Sequence, residues 1–335
     1  MAKDWARRHE FVGLDVATLT TMVQPIFPGK KVVAAQLLTE GFVNTNYKIM
    51  LSGFDTPFVL RLYVHDSAAC QKDIDLFNLV KEHVPVPEIF YADVDGTRHS
   101  ATYAVMQWID GVLLSEVLNS GNTQEISAVA YATGSTLANI GCYKFPQSGS
   151  FGPGLSIART FDGENDAIIN GIEHYLFKEQ AGQRLGTNLT MRLWQLVQSN
   201  IGYLSAIEDV ASLVHADYKG INILVRQSSK PVGQVVKEWD VAAVLDWEFA
   251  FAGTPLFDIG NMLRYSHLYS PEFEKFFICG FLEHGGHLPA NWKKIIKIID
   301  LVNLLDFLNY PVPRGTMIED VTGLITNTLE HWGDF

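Results

Sequence analysis

The sequence predicts an α+β protein of two lobes, and three patterns carry this prediction. The first third of the chain contains short runs of β-branched and aromatic residues that are separated by turn residues. Most of the remainder repeats apolar residues at helical spacing, apart from one short insert with a strand-like pattern. The length of 335 residues is sufficient for two lobes. We expect an N-terminal lobe over 1–106, a connection over 107–111 and a C-terminal lobe over 112–335.

The N-terminal lobe is predicted to be a small antiparallel sheet with one helix. Residues 32–64 contain three strand-like runs, which are divided by G-F-V-N-T-N and S-G-F-D-T-P. A helix is expected over 67–83, because its apolar residues keep helical spacing until V-P-V-P ends the pattern. Two further strands are expected at 88–93 and 101–108.

The C-terminal lobe is predicted to be mainly helical, with three short strands. Helices are expected at 122–142, 165–181, 187–209, 271–286, 291–309 and 316–332. Strands are expected at 212–214, 222–226 and 241–246, with a turn at 227–234. The segment G-S-F-G-P-G at 149–154 has the composition of a loop.

The composition of the chain indicates which kinds of partner and which location to expect. The chain has 25 Lys and Arg against 37 Asp and Glu, and this net charge of −12 argues against a nucleic-acid partner. No apolar run is long enough for a membrane helix, and the first residues lack the apolar core of a secretion signal, so we expect a cytoplasmic protein without a membrane partner. The cysteines Cys70, Cys142 and Cys279 are far apart and are expected to be free thiols. The oligomeric state is left open.

Polar residues interrupt two apolar runs at 213–225, L-V-H-A-D-Y-K-G-I-N-I-L-V. Asp217 and Asn222 lie in this interruption, and Asp246 follows the next apolar run. Each of them alone is explained by capping a turn or a helix. Together they also suit phosphoryl transfer, which needs one carboxylate to accept a hydroxyl proton and oxygen ligands for Mg²⁺.

Three motifs give the segment a family resemblance. H-A-D-Y-K-G-I-N-I-L-V at 215–225, V-L-D-W-E at 244–248 and P-L-F-D-I-G-N at 255–261 together resemble the aminoglycoside phosphotransferase and choline kinase superfamily, relatives of the protein kinases. The resemblance implies a bilobal protein-kinase-like fold. It also implies an enzyme that uses ATP and Mg²⁺ to phosphorylate a hydroxyl of a small molecule.

The resemblance assigns roles to residues of these motifs. It implies Asp217 as the catalytic base, with Asn222 and Asp246 as ligands of Mg²⁺. His215 is expected to brace the loop, and Asp258 is expected to accept hydrogen bonds from it.

The N-terminal lobe contains the other parts that the resemblance requires, in the expected order. T-E-G-F-V-N-T-N-Y-K at 39–48 resembles the nucleotide loop of the family. Arg61 occupies the position of the cation that holds the α- and β-phosphates, and Asp73, or less favourably Asp75, would be its acidic partner. The family usually has Glu at this partner position. The residues implied for nucleotide binding are Gly41, Asn44, Asn46, Arg61, Asp73, Gln107, Trp108 and Ile109, of which the last three would hold adenine through backbone groups.

Two positions of the segment 215–225, which resembles the catalytic loop of the family and is called the catalytic loop below, depart from the family pattern. Ala216 replaces the glycine that many members have between the histidine and the aspartate. Lys219 replaces a frequent histidine and matches the lysine of protein serine/threonine kinases at that offset. We predict that Lys219 is catalytic and contacts the γ-phosphate.

The acceptor is less well defined by the sequence. Residues from 155–210 and 262–335 are expected to line its pocket. Acidic residues that could bind an aminated sugar, or could be ordinary surface charges, are Asp162, Glu164, Asp166, Glu272 and those of the final E-H-W-G-D-F. Aromatic residues that could enclose a quaternary ammonium group, or could belong to the core, are Trp247, Tyr265, Trp292 and Trp332.

Three functions are compatible with these patterns. An aminoglycoside-type kinase is favoured, partly because S-F-G-P-G at 150–154 resembles that side of the superfamily. A metabolic kinase for choline, ethanolamine, homoserine or a sugar is the second hypothesis. A nucleotide-binding pseudokinase is the third, and the joint presence of Arg61, Asp217, Asn222 and Asp246 argues against it.

Overall fold

The N-terminal part of the chain is built on a five-stranded antiparallel sheet. The computed structural model describes residues 10–39, 43–64, 66–161, 163–208, 210–228, 239–311 and 315–335. The strand order is β1-β2-β3-β5-β4. The strands are β1 (Val32–Leu38), β2 (Thr45–Leu51), β3 (Phe58–Tyr63), β4 (Ile89–Asp93) and β5 (Thr102–Gln107). All five lie where the sequence predicts them.

Helix α1 (Val16–Val23) covers one face of this sheet and was not predicted. The side chain of Asp15 caps it by accepting a hydrogen bond from Thr18 N at 2.7 Å. Its residues Leu19, Met22 and Val23 join strand residues in a separate apolar core. The N-terminal sheet therefore has a core of its own.

Helix α2 (Ala68–Val80) lies between the sheet and the helical lobe. Small residues near its N-terminus, Ala69 and Cys70, pack on Tyr63 and Ala104 of the sheet. Its larger apolar residues, among them Leu76 and Val80, belong to the main core of the helical lobe. The helix is thus in contact with both parts of the molecule.

The rest of the chain is mainly helical. Its helices are α3 (Leu114–Asn119), α4 (Thr123–Gly141), α5 (Glu164–Phe177), α6 (Ala181–Leu185), α7 (Thr187–Asn200), α8 (Leu256–Leu263), α9 (Pro271–Glu283), α10 (Trp292–Leu308) and α11 (Gly315–Glu330). The six predicted helices are present, and two of them end at least four residues early. The one predicted over 165–181 stops at Phe177, and the one predicted over 187–209 continues beyond Asn200 as a short 3₁₀ turn over Ile201–Ala206.

Two small antiparallel sheets hold the predicted insert. The first has the order β11-β10-β6, and the second has the order β8-β7-β12-β9. Their strands are β6 (Val112–Leu113), β7 (Gly149–Phe151), β8 (Ile157–Thr160), β9 (Ser212–Val214), β10 (Ile223–Gln227), β11 (Trp239–Val244) and β12 (Phe251–Gly253). The predicted strands at 212–214, 222–226 and 241–246 correspond to β9, β10 and β11. Most of the predicted turn at 227–234 lies outside the described residues.

The segment 149–154, predicted as a loop, contains strand β7. It forms a hairpin with β8, in which Ser150 pairs with Arg159. Glycine is needed at 149, because a Cβ there would lie 2.4 Å from the carbonyl oxygen of Arg159. The glycine that favoured a loop at this position is therefore required by the close packing of a short strand.

In the described part of the chain, no helix is both long and apolar enough to cross a membrane.

Candidate active site

The catalytic loop begins where strand β9 ends and is held in place by buried residues of α8. Asp258, at the start of α8, is fully buried and accepts hydrogen bonds from the backbone N–H groups of His215 at 2.7 Å and Ala216 at 2.8 Å. The side chain of Asn261 donates to the carbonyl oxygen of Ala216 at 2.8 Å. These contacts confirm Asp258 as a structural acceptor. Burial raises its pKa to about 7, although both N–H donors act in the opposite direction.

His215 supports the loop from inside the protein. It is fully buried, its Nε2 lies 2.9 Å from the carbonyl oxygen of Leu245, and its Nδ1 accepts from Asp217 N at 3.2 Å. Burial lowers its pKa to about 4, so the ring is neutral near pH 7. This geometry is the one expected of a bracing residue.

The loop carries one strained residue. Ala216 has φ +68°, in the left-handed region where glycine is favoured. The alanine that replaces the family glycine therefore adopts the conformation that a glycine would adopt, at the residue before Asp217.

The side chains of Asp217, Lys219 and Asn222 are in direct contact. Lys219 Nζ lies 2.7 Å from Asp217 Oδ1, and Asn222 Nδ2 donates to Asp217 Oδ2 at 2.7 Å. Because Asn222 uses its amide N–H₂ on Asp217, its Oδ1 is the atom left to accept from or ligate another group. The loop thus presents a carboxylate, an ammonium group and an amide oxygen together.

Asp246 follows strand β11 and is brought to the catalytic loop by backbone contacts. Leu245 N donates to the carbonyl oxygen of Asn222 at 2.8 Å, and Asp246 itself has φ +68°. Its carboxylate Oδ1 lies 2.5 Å from the guanidinium group of Arg61. Burial alone would raise the pKa of Asp246, but the Arg61 guanidinium outweighs it and the pKa is lowered. The carboxylate is therefore ionised and available for a cation.

Arg61 on strand β3 lies between two carboxylates. Besides Asp246, its Nε lies 3.8 Å from Asp73 Oδ2 on α2, a distance at which the two groups attract without a hydrogen bond. The hydroxyl group of Tyr63 donates to the same Asp73 oxygen at 2.7 Å. Asp75 is placed differently, since its Oδ2 accepts from Gly154 N at 3.0 Å. Asp73, and not Asp75, is the acidic neighbour of Arg61.

Glu248 joins this cluster, although no role was predicted for it. Its Oε2 accepts from Asn44 Nδ2 at 3.0 Å, and its backbone carbonyl oxygen accepts from Lys72 Nζ at 2.8 Å. Burial raises the pKa of Glu248 to about 7, and the nearby Asp246 adds to the effect. The D-W-E motif was the signal that could have indicated it.

We call the cluster around Arg61, Asp217, Asn222, Asp246 and Glu248 the cleft. Several buried polar atoms in and beside it lack a hydrogen-bond partner among the described residues. They are Asn46 Oδ1, Arg61 Nε, Asp73 Oδ1 and Glu248 Oε1. Buried polar groups are usually hydrogen-bonded, so a cleft with several unpartnered atoms fits a polar ligand. Gly41, predicted to bind the nucleotide with Asn44 and Asn46, lies outside the described residues.

The predicted adenine-binding connection follows strand β5. The side chain of Gln107 is exposed and its Oε1 lies 3.3 Å from Glu88 N. The ring of Trp108 is covered by Lys48 Nζ, at 3.9 Å from the ring centroid, and its Nε1 donates to Asp110 at 2.8 Å. Ile109 is half-buried. The structure places these residues beside the sheet that carries Arg61.

The predicted acceptor-binding residues fall into different environments. Trp247 is buried against the His215 ring, with 4.6 Å between the centroids, and so belongs to the core. Glu164 accepts from Thr254 N at 2.7 Å, and Glu272 pairs with Lys275 on its own helix at 3.3 Å. The remaining candidates are half-buried or exposed, apart from Asp162, which lies outside the described residues: Asp166, Tyr265, Trp292, Glu330, Trp332 and Asp334.

Solved structures with the same fold are known. Aminoglycoside phosphotransferase APH(4)-Ia is 17% identical, with a TM-score of 0.68 over 94% of this chain and 99% of that one. A thermostable mutant of the same enzyme, in a ternary complex with ADP and hygromycin B, is 17% identical, with a TM-score of 0.66 over 92% of this chain and 96% of the other. The streptomycin-ATP-APH(2")-IIa complex is 13% identical, with a TM-score of 0.62 over 96% and 99% of the two chains. These similarities confirm the predicted bilobal kinase-like fold.

Family membership rests on the sequence itself. No significant match was found among curated proteins. The model of the family described as "Phosphotransferase enzyme family" matches residues 34–293, which include Arg61, the catalytic loop and the D-W-E segment. The family resemblance and the enzyme class predicted from these motifs are thereby confirmed: the chain belongs to the phosphotransferase enzyme family.

Proposed function

We propose that this protein transfers the γ-phosphoryl group of ATP to a hydroxyl group of a small molecule. The observation that carries the proposal is the meeting of Arg61, Asp217, Asn222 and Asp246 in one cleft, from a sheet strand, a loop and a strand end that are far apart in sequence. Each type of group has a role in phosphoryl transfer. The solved structures with ADP, or with ATP and streptomycin, come from proteins of this fold and support a nucleotide in the cleft.

Asp217 is the proposed base. The acceptor hydroxyl group would donate its hydrogen bond to the carboxylate, which takes the proton as the hydroxyl oxygen bonds to the γ-phosphorus. The bond from the γ-phosphorus to the bridging oxygen breaks, and ADP leaves. Arg61 would hold the α- and β-phosphates, which offer oxygen atoms in place of Asp246.

The residues present fit Mg²⁺. The Asn222 amide oxygen and the Asp246 carboxylate are hard oxygen donors, and 29% of the Asp246 side chain is exposed. In the described part of the chain no three His, Cys, Asp or Glu side chains form a metal-binding group. This suits Mg²⁺, which is usually bound by one or two protein groups together with phosphates and water. When bound, the ion would neutralise phosphate charge.

Lys219 is proposed to neutralise the transferring phosphoryl group. The ammonium group of Lys219 pairs with Asp217, so it lies close to the place where the acceptor hydroxyl group would meet the γ-phosphate. We expect Lys219→Ala to lower kcat by about 100-fold, the range for one charged transition-state contact. Unchanged turnover in Lys219→Ala, beside abolished turnover in Asp217→Ala, would show that this role is wrong.

An aminoglycoside-type acceptor is our first proposal, because the motifs and the fold resemble those enzymes. A metabolic acceptor such as choline, ethanolamine, homoserine or a sugar is the second. One observation favours the second: Glu164 and Glu272, which could have paired with an aminated sugar, already have partners within the protein.

The predicted cytoplasmic location and the predicted lack of a nucleic-acid or membrane partner stay predictions, as does the lobe boundary at 107–111.

The test is an acceptor panel. Wild-type protein is incubated with Mg-ATP and, in turn, with aminoglycosides and with metabolic alcohols, and ADP release is measured against an acceptor-free blank. We expect one group of acceptors to stimulate release, with a phosphorylated product detected by mass spectrometry. Tight Mg-ATP binding without transfer to any acceptor would favour the pseudokinase alternative instead.

A further inference from the structure

The segment that carries Asp246 is irregular and must be held by its neighbours. It runs from the end of β11 at Val244 to the start of β12 at Phe251, and Asp246 within it adopts φ +68°. An irregular stretch with a strained residue keeps one conformation only where surrounding contacts fix it. The position of Asp246 therefore depends on those contacts.

The catalytic loop holds one side of this segment. His215 Nε2 lies 2.9 Å from the carbonyl oxygen of Leu245, and Leu245 N donates to the carbonyl oxygen of Asn222 at 2.8 Å. These contacts fix the residue before Asp246. After Asp246, Trp247 packs on the His215 ring, with 4.6 Å between the ring centroids, so Glu248 is the next residue whose position must be fixed.

Lys72 on helix α2 holds the other side. Its Nζ donates to the carbonyl oxygen of Glu248 at 2.8 Å, across the boundary between the two parts of the molecule. Among the described residues Lys72 forms no ion pair, so this carbonyl oxygen is its partner. Burial lowers the pKa of Lys72, while Asp73, Asp66 and Glu248 oppose that effect.

Helix α2 is a firm support for this contact. Leu76 and Val80, one and two turns beyond Lys72, are buried in the main core of the helical lobe. Asp75 accepts from Gly154 N at 3.0 Å and ties the same helix to that lobe a second time. The residue after Lys72 is Asp73, the neighbour of Arg61. One turn of α2 therefore contacts both Arg61 and the D-W-E segment.

We propose that Lys72 is a positioning residue that holds the Glu248 carbonyl oxygen and so fixes Asp246 where the nucleotide's metal ion requires it. The proposal rests on the proposed function, because it assigns the metal to Asp246. Lys72 touches neither the phosphates nor the acceptor in this scheme. It acts only through the D-W-E segment.

Metal-dependent nucleotide binding tests this proposal without any acceptor. The dissociation constant of ATP is measured by calorimetry with Mg²⁺ and with EDTA, for the wild type and for Lys72→Met, Lys72→Arg and Lys81→Met. Lys81 lies at the end of the same helix, is exposed and contacts Asn78, so Lys81→Met is the matched control.

We expect Lys72→Met to weaken binding of Mg-ATP about tenfold or more, as for the loss of one charged hydrogen bond, with a much smaller effect in EDTA. Lys72→Arg, which can still donate to the carbonyl oxygen, should recover most of the metal effect, and Lys81→Met should match the wild type. If Lys72→Met does not fold, as judged by circular dichroism, Lys72→Gln removes the same charge and should give the same result.

Two negative outcomes are distinguishable. If the wild type binds Mg-ATP and the Lys72 variants keep the same ratio of affinities with and without Mg²⁺, the role of Lys72 is wrong and the proposed function stands. If the wild type itself binds ATP no better with Mg²⁺ than with EDTA, both the proposed function and the role of Lys72 fail.

Discussion

At the scale of single residues, the site is defined by buried charged side chains, one of which has two partners of opposite charge. Arg61 faces two carboxylates, Asp246 at 2.5 Å and Asp73 at 3.8 Å, so groups of the protein itself balance its positive charge. A buried cation without such neighbours would be costly. Phosphate oxygens could replace Asp246 as partners of Arg61, which would leave that carboxylate for a cation. The charge pattern therefore suits an exchange of partners when a nucleotide binds.

The buried histidine of the catalytic loop gives a pH-dependent prediction. The pKa of folded His215 is lowered to about 4, against an ordinary value near 6.5, so its contribution to stability is present above pH 6.5 and is lost as the pH falls toward 4. Between pH 7 and pH 5 we expect the free energy of unfolding to fall by about 2 kcal/mol more in the wild type than in His215→Gln. Urea denaturation at the two pH values measures this difference.

Groups with pKa shifts in the opposite direction, such as Asp258, are common to both proteins, so the comparison isolates His215. The exposed His83 is the control, and His83→Gln should follow the wild type. Equal pH dependence in the wild type and His215→Gln would mean that the ring is not held neutral.

At the scale of helices and strands, close helix packing fixes the helical lobe behind the site. Helices α4 and α9 approach so closely that a Cβ on Gly134 would lie 1.9 Å from the carbonyl oxygen of Phe277, and a Cβ on Gly280 would lie 2.1 Å from that of Tyr131. Only glycine allows this approach. The spacing of apolar residues predicts both helices, but it does not indicate which glycines touch a partner.

A methyl group added at one of these glycines should therefore force α4 and α9 apart. We expect Gly280→Ala to lower the free energy of unfolding by about 1–3 kcal/mol, the usual range for an overpacked core, as measured by chemical denaturation. Gly171→Ala on α5 is the matched control, because among the described residues beyond its own helix no atom lies within 4 Å of the added Cβ, and it should raise stability by up to about 1 kcal/mol. Similar effects of the two substitutions would show that α4 and α9 are not so close.

The sequence predicted long elements better than short ones. Strands β1 to β5 and the six long helices follow clear periodic patterns, whereas α6 and β12, of five and three residues, are too short to show a period. Helix α1 was missed although Asp15 offers a capping signal.

The contacts within the site could also be predicted only in part from the sequence. The motifs predicted which residues meet, including Arg61 and Asp73. They could not predict that Asp246 is the nearer partner of Arg61, or that Lys72 reaches Glu248, because the relative position of distant segments decides both contacts.

At the scale of the whole molecule, two apolar cores meet at helix α2. The sheet and α1 form one core, while Leu76, Val80 and Val84 belong to the core of the helical lobe. The apolar contact of α2 with the sheet is made by small residues, Ala69 and Cys70. Burial of larger apolar side chains stabilises more, so α2 is bound more firmly to the helical lobe than to the sheet.

Native-state hydrogen exchange tests this assignment. We expect the amides of α2 to open with those of the helical core, and to be more protected than those of β1 and β2. The measurement is exchange followed by mass spectrometry of peptides from the three elements. Exchange of α2 at the rate of the sheet, together with faster exchange than in α4, would contradict the assignment.

The proposed base, Asp217, gives the most direct measurement on the site as a whole. With the acceptor found in the panel, kcat and the dissociation constant of Mg-ATP are measured for the wild type and for Asp217→Asn, which keeps the size of the side chain. Loss of a general base predicts a fall in kcat of about 100-fold or more, with Mg-ATP affinity nearly unchanged. Turnover by Asp217→Asn within a few-fold of the wild type would contradict the assignment of this cleft as the phosphoryl-transfer site.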